Sequence, residues 1–222
     1  MKRFISMTFL ISLSLFACKS SVKQQSDSIY SRHLQRHIDL TIISTPMPDK
    51  KEEMNLVLFT NSELLETMRA KKLIDSLYKS KQIQPLTLVA FKGEKADYGL
   101  EEKGGDKGKQ YRKFNEFVSG ELYPFCKKKA VIRKFNSVAV CGFSSGALSA
   151  FDITFNNDAK IQMAGMFYPE FKESYNDTNT IVLHTIQAFR VLPRVKIFPI
   201  ALEKDTLPMT LMKFISEKRK NS

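Results

Sequence analysis

Ser137-Val138-Ala139-Val140-Cys141-Gly142-Phe143-Ser144-Ser145-Gly146-Ala147-Leu148-Ser149-Ala150-Phe151 is the stretch on which the reading of this chain turns. Its first five residues form a β-forming run, and Ala147 to Phe155 has the composition of an apolar helix. Between them lies G-x-S-x-G, at Gly142, Ser144 and Gly146. By itself that pattern is weak, because small residues cluster in many loops. Set between a strand and a helix, it predicts a sharp turn that lifts the Ser144 hydroxyl to the carboxyl edge of a sheet. Gly142 and Gly146 suit such a turn because backbone must pack closely around a strained nucleophile. The amide of Ser145, at the helix N-terminus, would then be one oxyanion donor. A structural βα turn with an incidental serine is the competing reading.

Outward from that stretch, strand and helix signals alternate. His37 to Ile43 alternates apolar and polar residues and ends near Pro46 and Pro48, as a half-buried outer strand would. Leu56-Val57-Leu58-Phe59 is a continuous apolar run, expected of a strand covered on both faces, and Leu86 to Phe91 reads as another buried strand. Glu63 to Gln82 carries Leu64, Leu65, Met68, Leu73, Ile74 and Leu77 on one helical face. Gly93 to Lys109 holds five of the nine glycines and reads as a loop. Tyr111 to Leu122 predicts a helix stopped before Pro124, Val195 to Leu202 a further strand, and Pro208 to Lys220 a last helix. The alternation predicts an α/β fold, with a mainly parallel central sheet and flanking helices.

The amino end predicts export. Lys2 and Arg3 precede an apolar stretch, Phe4 to Ala17, that is too short for a permanent membrane span. Leu15-Phe16-Ala17-Cys18 resembles the lipobox of bacterial lipoproteins. The resemblance implies acylation of Cys18, anchorage to a lipid bilayer, and a place in the bacterial cell envelope on the periplasmic or cell-surface side. The expected organisation is a signal peptide over 1–17, a flexible tether over 18–28 rich in Ser, Gln and Lys, and one domain over 29–222. Cys126 and Cys141 remain, and two separately buried thiols are expected rather than a disulfide framework.

The formal net charge is +12. Lys127-Lys128-Lys129 and Lys218-Arg219-Lys220 are short runs with no stacking aromatic or base-reading motif nearby, which argues against nucleic acid as a partner. A solvated basic surface, compatible with anionic headgroups, is the expectation. No cofactor and no metal is called for.

Several landmarks in order extend the nucleophile motif. Asn55-Leu56-Val57-Leu58-Phe59-Thr60-Asn61 resembles a strand running into an oxyanion loop, and Asp97-Tyr98-Gly99 an E-Y-G loop opening. Phe117 to Phe125 resembles a helix ending in E-L-x-P, Gly142 to Ala147 a G-x-S-x-G-G turn, and Phe167 to Phe171 a segment after the next strand. Together, over about half of the chain, they resemble the esterase branch of the α/β-hydrolases that holds enterochelin esterases, esterase D and feruloyl esterases. That resemblance implies an α/β-hydrolase fold and hydrolysis of a small-molecule carboxylic ester. It implies Ser144 as nucleophile, with the oxyanion held by the amides of Ser145 and approximately Asn61. Asn61-Ser62 replaces the aspartate-glycine of the family's oxyanion loop, and Phe167-Tyr168-Pro169 replaces its serine-glycine.

The family's acid follows the strand Val195 to Leu202, where Asp205 fits by position and Glu203 is the alternative. Its base is a later histidine, and none follows Asp205. His33 and His37 precede the nucleophile; His184 pairs with Asp177 only at an unusually close spacing and reads better as a packed side chain. A chain lacking the family's last strand and histidine loop, through truncation of an ancestral esterase, is the expectation that covers both absences. Residual turnover, or ligand binding without turnover, are the two functional consequences.

Overall fold

The computed structural model describes residues 22–93, 107–169, 193–200 and 216. Seven strands form one sheet: β1 (Lys23–Ser31), β2 (Arg36–Ser44), β3 (Asn55–Phe59), β4 (Leu86–Phe91), β5 (Val138–Phe143), β6 (Met163–Phe167) and β7 (Lys196–Ile200). Their order is β1-β2-β4-β3-β5-β6-β7. β2 runs antiparallel to β1 and β4, whereas β3 to β7 are mutually parallel. The mainly parallel sheet with an outer antiparallel strand is therefore present, and among the described residues four α-helices flank it: α1 (Ala70–Lys79), α2 (Lys107–Glu116), α3 (Tyr123–Ala130) and α4 (Ser145–Asn156).

Both faces of the sheet are covered, which explains why β3 and β4 are mostly apolar instead of alternating. On one face Leu56, Leu58, Val89, Phe91 and Val140 pack with Phe114, Phe117, Leu122 and Cys126 of the α2–α3 layer and with Ala150 and Ile153 of α4. On the other, Ile43, Phe59 and Ala90 pack with Leu65, Ala70 and Ile74 around α1.

Three local expectations are corrected. Residues 23–28, assigned to a tether by their polarity, form the first part of β1 and pair with β2 in register from Lys23 with Ser44 to Ser31 with Arg36. An outermost strand shows its faces to water, so Lys23, Gln24, Gln25 and Ser26 are exposed, and polar side chains there also discourage edge pairing. The helix predicted over Glu63 to Gln82 begins only at Ala70, after a 3-10 turn (Ser62–Leu64) and Arg69 in the left-handed region at φ 49. Of the apolar residues placed on that face, Leu65 and Ile74 are buried, together with Ala70, in a satellite core, whereas Met68 and Leu73 are exposed.

Pro124, finally, does not end the helical segment. Its missing N–H and its ring clash disrupt an α-helix at the preceding turn. The chain resolves this by widening to a π-helical turn over Phe117–Leu122, in which the Tyr123 amide donates to the carbonyl of Val118, and Pro124 then sits in the first turn of α3. Cys126 and Cys141 are free. Burial pushes the Cys126 thiol up to about 12 and the Cys141 thiol up to about 11.

Candidate active site

Ser144 stands between the end of β5 and the start of α4, with φ 56 and ψ −121. A non-glycine residue rarely adopts that conformation, and it costs of order 1–3 kcal/mol. It is half-buried, at the carboxyl edge of the parallel strands. The strand-turn-helix context read from the sequence is thus present, and the turn is strained at the serine itself.

The turn is held from both sides. Toward β6, the Ser144 amide donates to the carbonyl of Phe167 at 3.0 Å, continuing the parallel ladder one step past its end. Toward β3, the Phe143 amide donates to Asn61 Oδ1 at 2.7 Å. Thr60, fully buried, donates its hydroxyl within reach of Asn61 Oδ1 at 3.1 Å and of the Gly146 carbonyl at 3.4 Å. Asn61 in turn donates from Nδ2 to Glu63 Oε1 at 3.2 Å.

The two glycines are required by space. A Cβ on Gly142 would collide with the backbone of Gly146, and one on Gly146 would lie 2.5 Å from both Thr60 Oγ1 and Asn61 Oδ1. Thr60 and Asn61 therefore form a clamp around the elbow. Asn61 was expected only as an approximate backbone donor, and Thr60 was not singled out. The signal available was their place at the end of a buried strand that pairs directly with β5.

Ser145 is the first residue of α4. Its N–H belongs to the opening turn of a helix, where amides have no intrahelical acceptor and favour negative charge. On the β6 side the Phe143 ring stacks on Phe167 with centroids 6.2 Å apart and meets Tyr168 at 5.2 Å. Tyr168 is partly exposed and is itself left-handed, at φ 46, with its amide donating to the Ile200 carbonyl at 2.7 Å. Phe143, Phe167 and Tyr168 thus form an aromatic cluster at the carboxyl ends of β5 and β6.

Asp205 and Glu203, Asp177 and His184, and Cys18 all lie outside the described residues. His37 opens β2 and His33 lies in the β1–β2 turn, where its Nδ1 is 3.0 Å from Glu116 Oε2. β2 is three strand spacings from β5, or about 14 Å. Among the described residues no group of three or more His, Cys, Asp or Glu could hold a metal ion.

No family model matches the chain, and no curated protein does. Solved structures do. A ferulic acid esterase superposes with a TM-score of 0.65 at 18% identity, over 90% of this chain and 86% of the other. An enterobactin esterase from Shigella flexneri gives 0.63 at 16% identity, over 90% of this chain and 51% of the other. A protein from Capnocytophaga ochracea of undescribed activity gives 0.58 at 14%, over 90% and 63%. The chain spans most of the first protein's length but only about half of the second's. At such identities the likeness is one of fold, and the fold is that of the α/β-hydrolases.

Proposed function

We propose that this chain is a serine hydrolase of carboxylic esters. The observation that carries the reading is the strained, half-buried Ser144 on the β5–α4 turn, with a helix N-terminus directly behind it. In this reading the Ser144 hydroxyl attacks the ester carbonyl carbon while its proton passes to a general base. The charge developing on the carbonyl oxygen is held by the Ser145 amide and by a second donor near Asn61. The alcohol leaves with that proton, and water then releases the acid from Ser144. Asp205, or Glu203 in its place, orients the base. The ring surfaces of Phe143, Phe167 and Tyr168 suit a flat acyl group, in keeping with the ferulic acid and enterobactin esterases among the structural neighbours.

A second reading, binding of an ester-like ligand without turnover, draws support from one observation. Both described histidines sit on the outer hairpin, several strands from Ser144. A fluorophosphonate probe decides between the two. Covalent labelling that disappears in Ser144→Ala supports hydrolysis; well-folded protein that stays unlabelled but binds ligand saturably supports the alternative.

We also propose that Cys18 is acylated and that the protein is held at the bacterial envelope. Incorporation of labelled fatty acid, lost in Cys18→Ser, tests that step.

A further inference from the structure

One row of residues runs across the sheet at the amino ends of its parallel strands: Lys23 pairs with Ser44, Ser44 with Thr87, Thr87 with Leu56 and Leu56 with Val138. This edge lies opposite the one that carries Ser144. The connection from α3 to β5 arrives here, and its first residue, Val131, is anomalous. Val131 is left-handed, at φ 53 and ψ 46, and caps α3 by donating its amide to the carbonyls of Lys127 and Lys128. Glycine is the usual residue in that position, and a β-branched side chain is the least suited to it. The strain does not serve the core, because Val131 is 70% exposed.

The surroundings of Val131 are cationic. Lys127 lies over the Tyr123 ring and Lys129 over the Phe125 ring, with Lys129 also paired to Asp27, and lysines in a last helical turn match its dipole. Those two are accounted for by the fold. Lys128, Arg133 and Lys134 are not: they are exposed and make no ion pair among the described residues. Met47, on the β2–β3 connection at the same edge, is a further exposed apolar side chain, at 47%. Val22, where the chain enters β1, belongs to this edge as well, and the four residues from Cys18 to Val22 can span at most about 14 Å.

We propose that this amino edge docks on an anionic lipid bilayer, with Val131 at headgroup depth and Lys128, Arg133 and Lys134 against headgroup phosphates. An exposed apolar side chain flanked in the chain by exposed cations is what such a surface selects, by combining shallow apolar burial with electrostatic attraction. Docked in this way, the protein turns the Ser144 edge away from the bilayer. The inference rests on the fold and not on the hydrolytic reading, so a failed esterase assay leaves it standing.

The test is cosedimentation of the full chain carrying Cys18→Ser, which removes the acylation site, with phosphatidylcholine vesicles containing or lacking about one third phosphatidylglycerol. Binding should require the anionic lipid. Arg133→Glu/Lys134→Glu should weaken it by about 25-fold or more, while Lys71→Glu/Lys72→Glu, an equal charge change at the start of α1 near the opposite edge, should cost under about threefold. Val131→Gly should weaken binding about threefold while raising the unfolding temperature, a combination that a purely structural residue does not give. Equal losses from the two double reversals, binding indifferent to phosphatidylglycerol, or displacement from vesicles by RNA at matched phosphate concentration would each overturn it.

Discussion

Gly146→Ala tests the clamp around Ser144 most directly. The position is not left-handed, so alanine suffers no backbone penalty and the effect is one of space alone. The added methyl would lie 2.5 Å from Thr60 Oγ1, 2.5 Å from Asn61 Oδ1 and 3.3 Å from Asn61 Cγ. Thr60 is fully buried and cannot turn away. Asn61 can move, but only by giving up its 2.7 Å bond from the Phe143 amide. Overpacking of about 1–3 kcal/mol and one lost hydrogen bond of about 0.5–1.5 kcal/mol give a cost of about 1.5–4.5 kcal/mol.

For a chain of this size that lowers the unfolding midpoint by roughly 5–15 °C, readable by circular dichroism. A double-mutant cycle makes the assignment specific. Asn61→Ala removes the side chain the methyl would strike, so Gly146→Ala/Asn61→Ala should cost at least about 1 kcal/mol less than the sum of the singles. Strict additivity would refute the clamp, as would a Gly146→Ala variant as stable as the parent.

Gly142→Ala should be worse than Gly146→Ala and yield little soluble protein, since its methyl would meet Gly146 backbone, which cannot rotate aside; equal yields from the two would argue against this ordering. Ser144→Gly should raise stability by about 1 kcal/mol by releasing a φ of 56, whereas Ser144→Ala should not, and thermal melts of the pair check this. Cys126 and Cys141 should resist alkylation at pH 8 until the protein is denatured. Burial lifts them to about 12 and about 11, above the ordinary thiol value of 9.0, so the native state holds its protons longer than the unfolded one. Stability should therefore be fully present below about pH 9 and fall as pH rises toward 11–12; urea titrations showing it constant or rising across that window would contradict the burial of these thiols. Leu58→Ala, in the fully buried centre of β3, should cost about 2–5 kcal/mol in the same titrations.

What was legible in the sequence follows from the range of the interaction involved. The Leu56–Phe59 and Leu86–Phe91 runs announce strands because burial on both faces acts on every residue of a strand, and the Val138-to-Gly146 stretch announces its turn because the serine, its flanking glycines and the switch from strand to helix are local. Pro124 misled because its local rule, that proline ends a helix, was satisfied by a π-helical turn supported by the packing of Phe117 and Leu122. Residues 23–28 misled for the opposite reason: an outermost strand needs one paired neighbour and no apolar pattern. The Thr60–Asn61 clamp depends on β3 lying next to β5, a pairing between residues far apart in sequence that no local motif encodes.

The energetics show why the elbow can keep its strain. About 1–3 kcal/mol is stored at Ser144, yet every residue from Gly146 to Phe155 in the helix that follows is buried. Leu148, Phe151, Ile153 and Phe155 alone represent roughly 6–12 kcal/mol of apolar burial. Relaxing Ser144 to an ordinary conformation would swing α4 away from β5 and β6 and forfeit a large part of that sum. It would also break the bonds from Ser144 to Phe167 and from Phe143 to Asn61. The strained turn is thus the lowest-energy way to join this strand to this helix once both are packed, and the hydroxyl's position is fixed by core burial on one side and the β3 clamp on the other. In the proposed hydrolysis, a serine placed by its neighbours to this degree would need no reorganisation of its own backbone before attack on a carbonyl carbon.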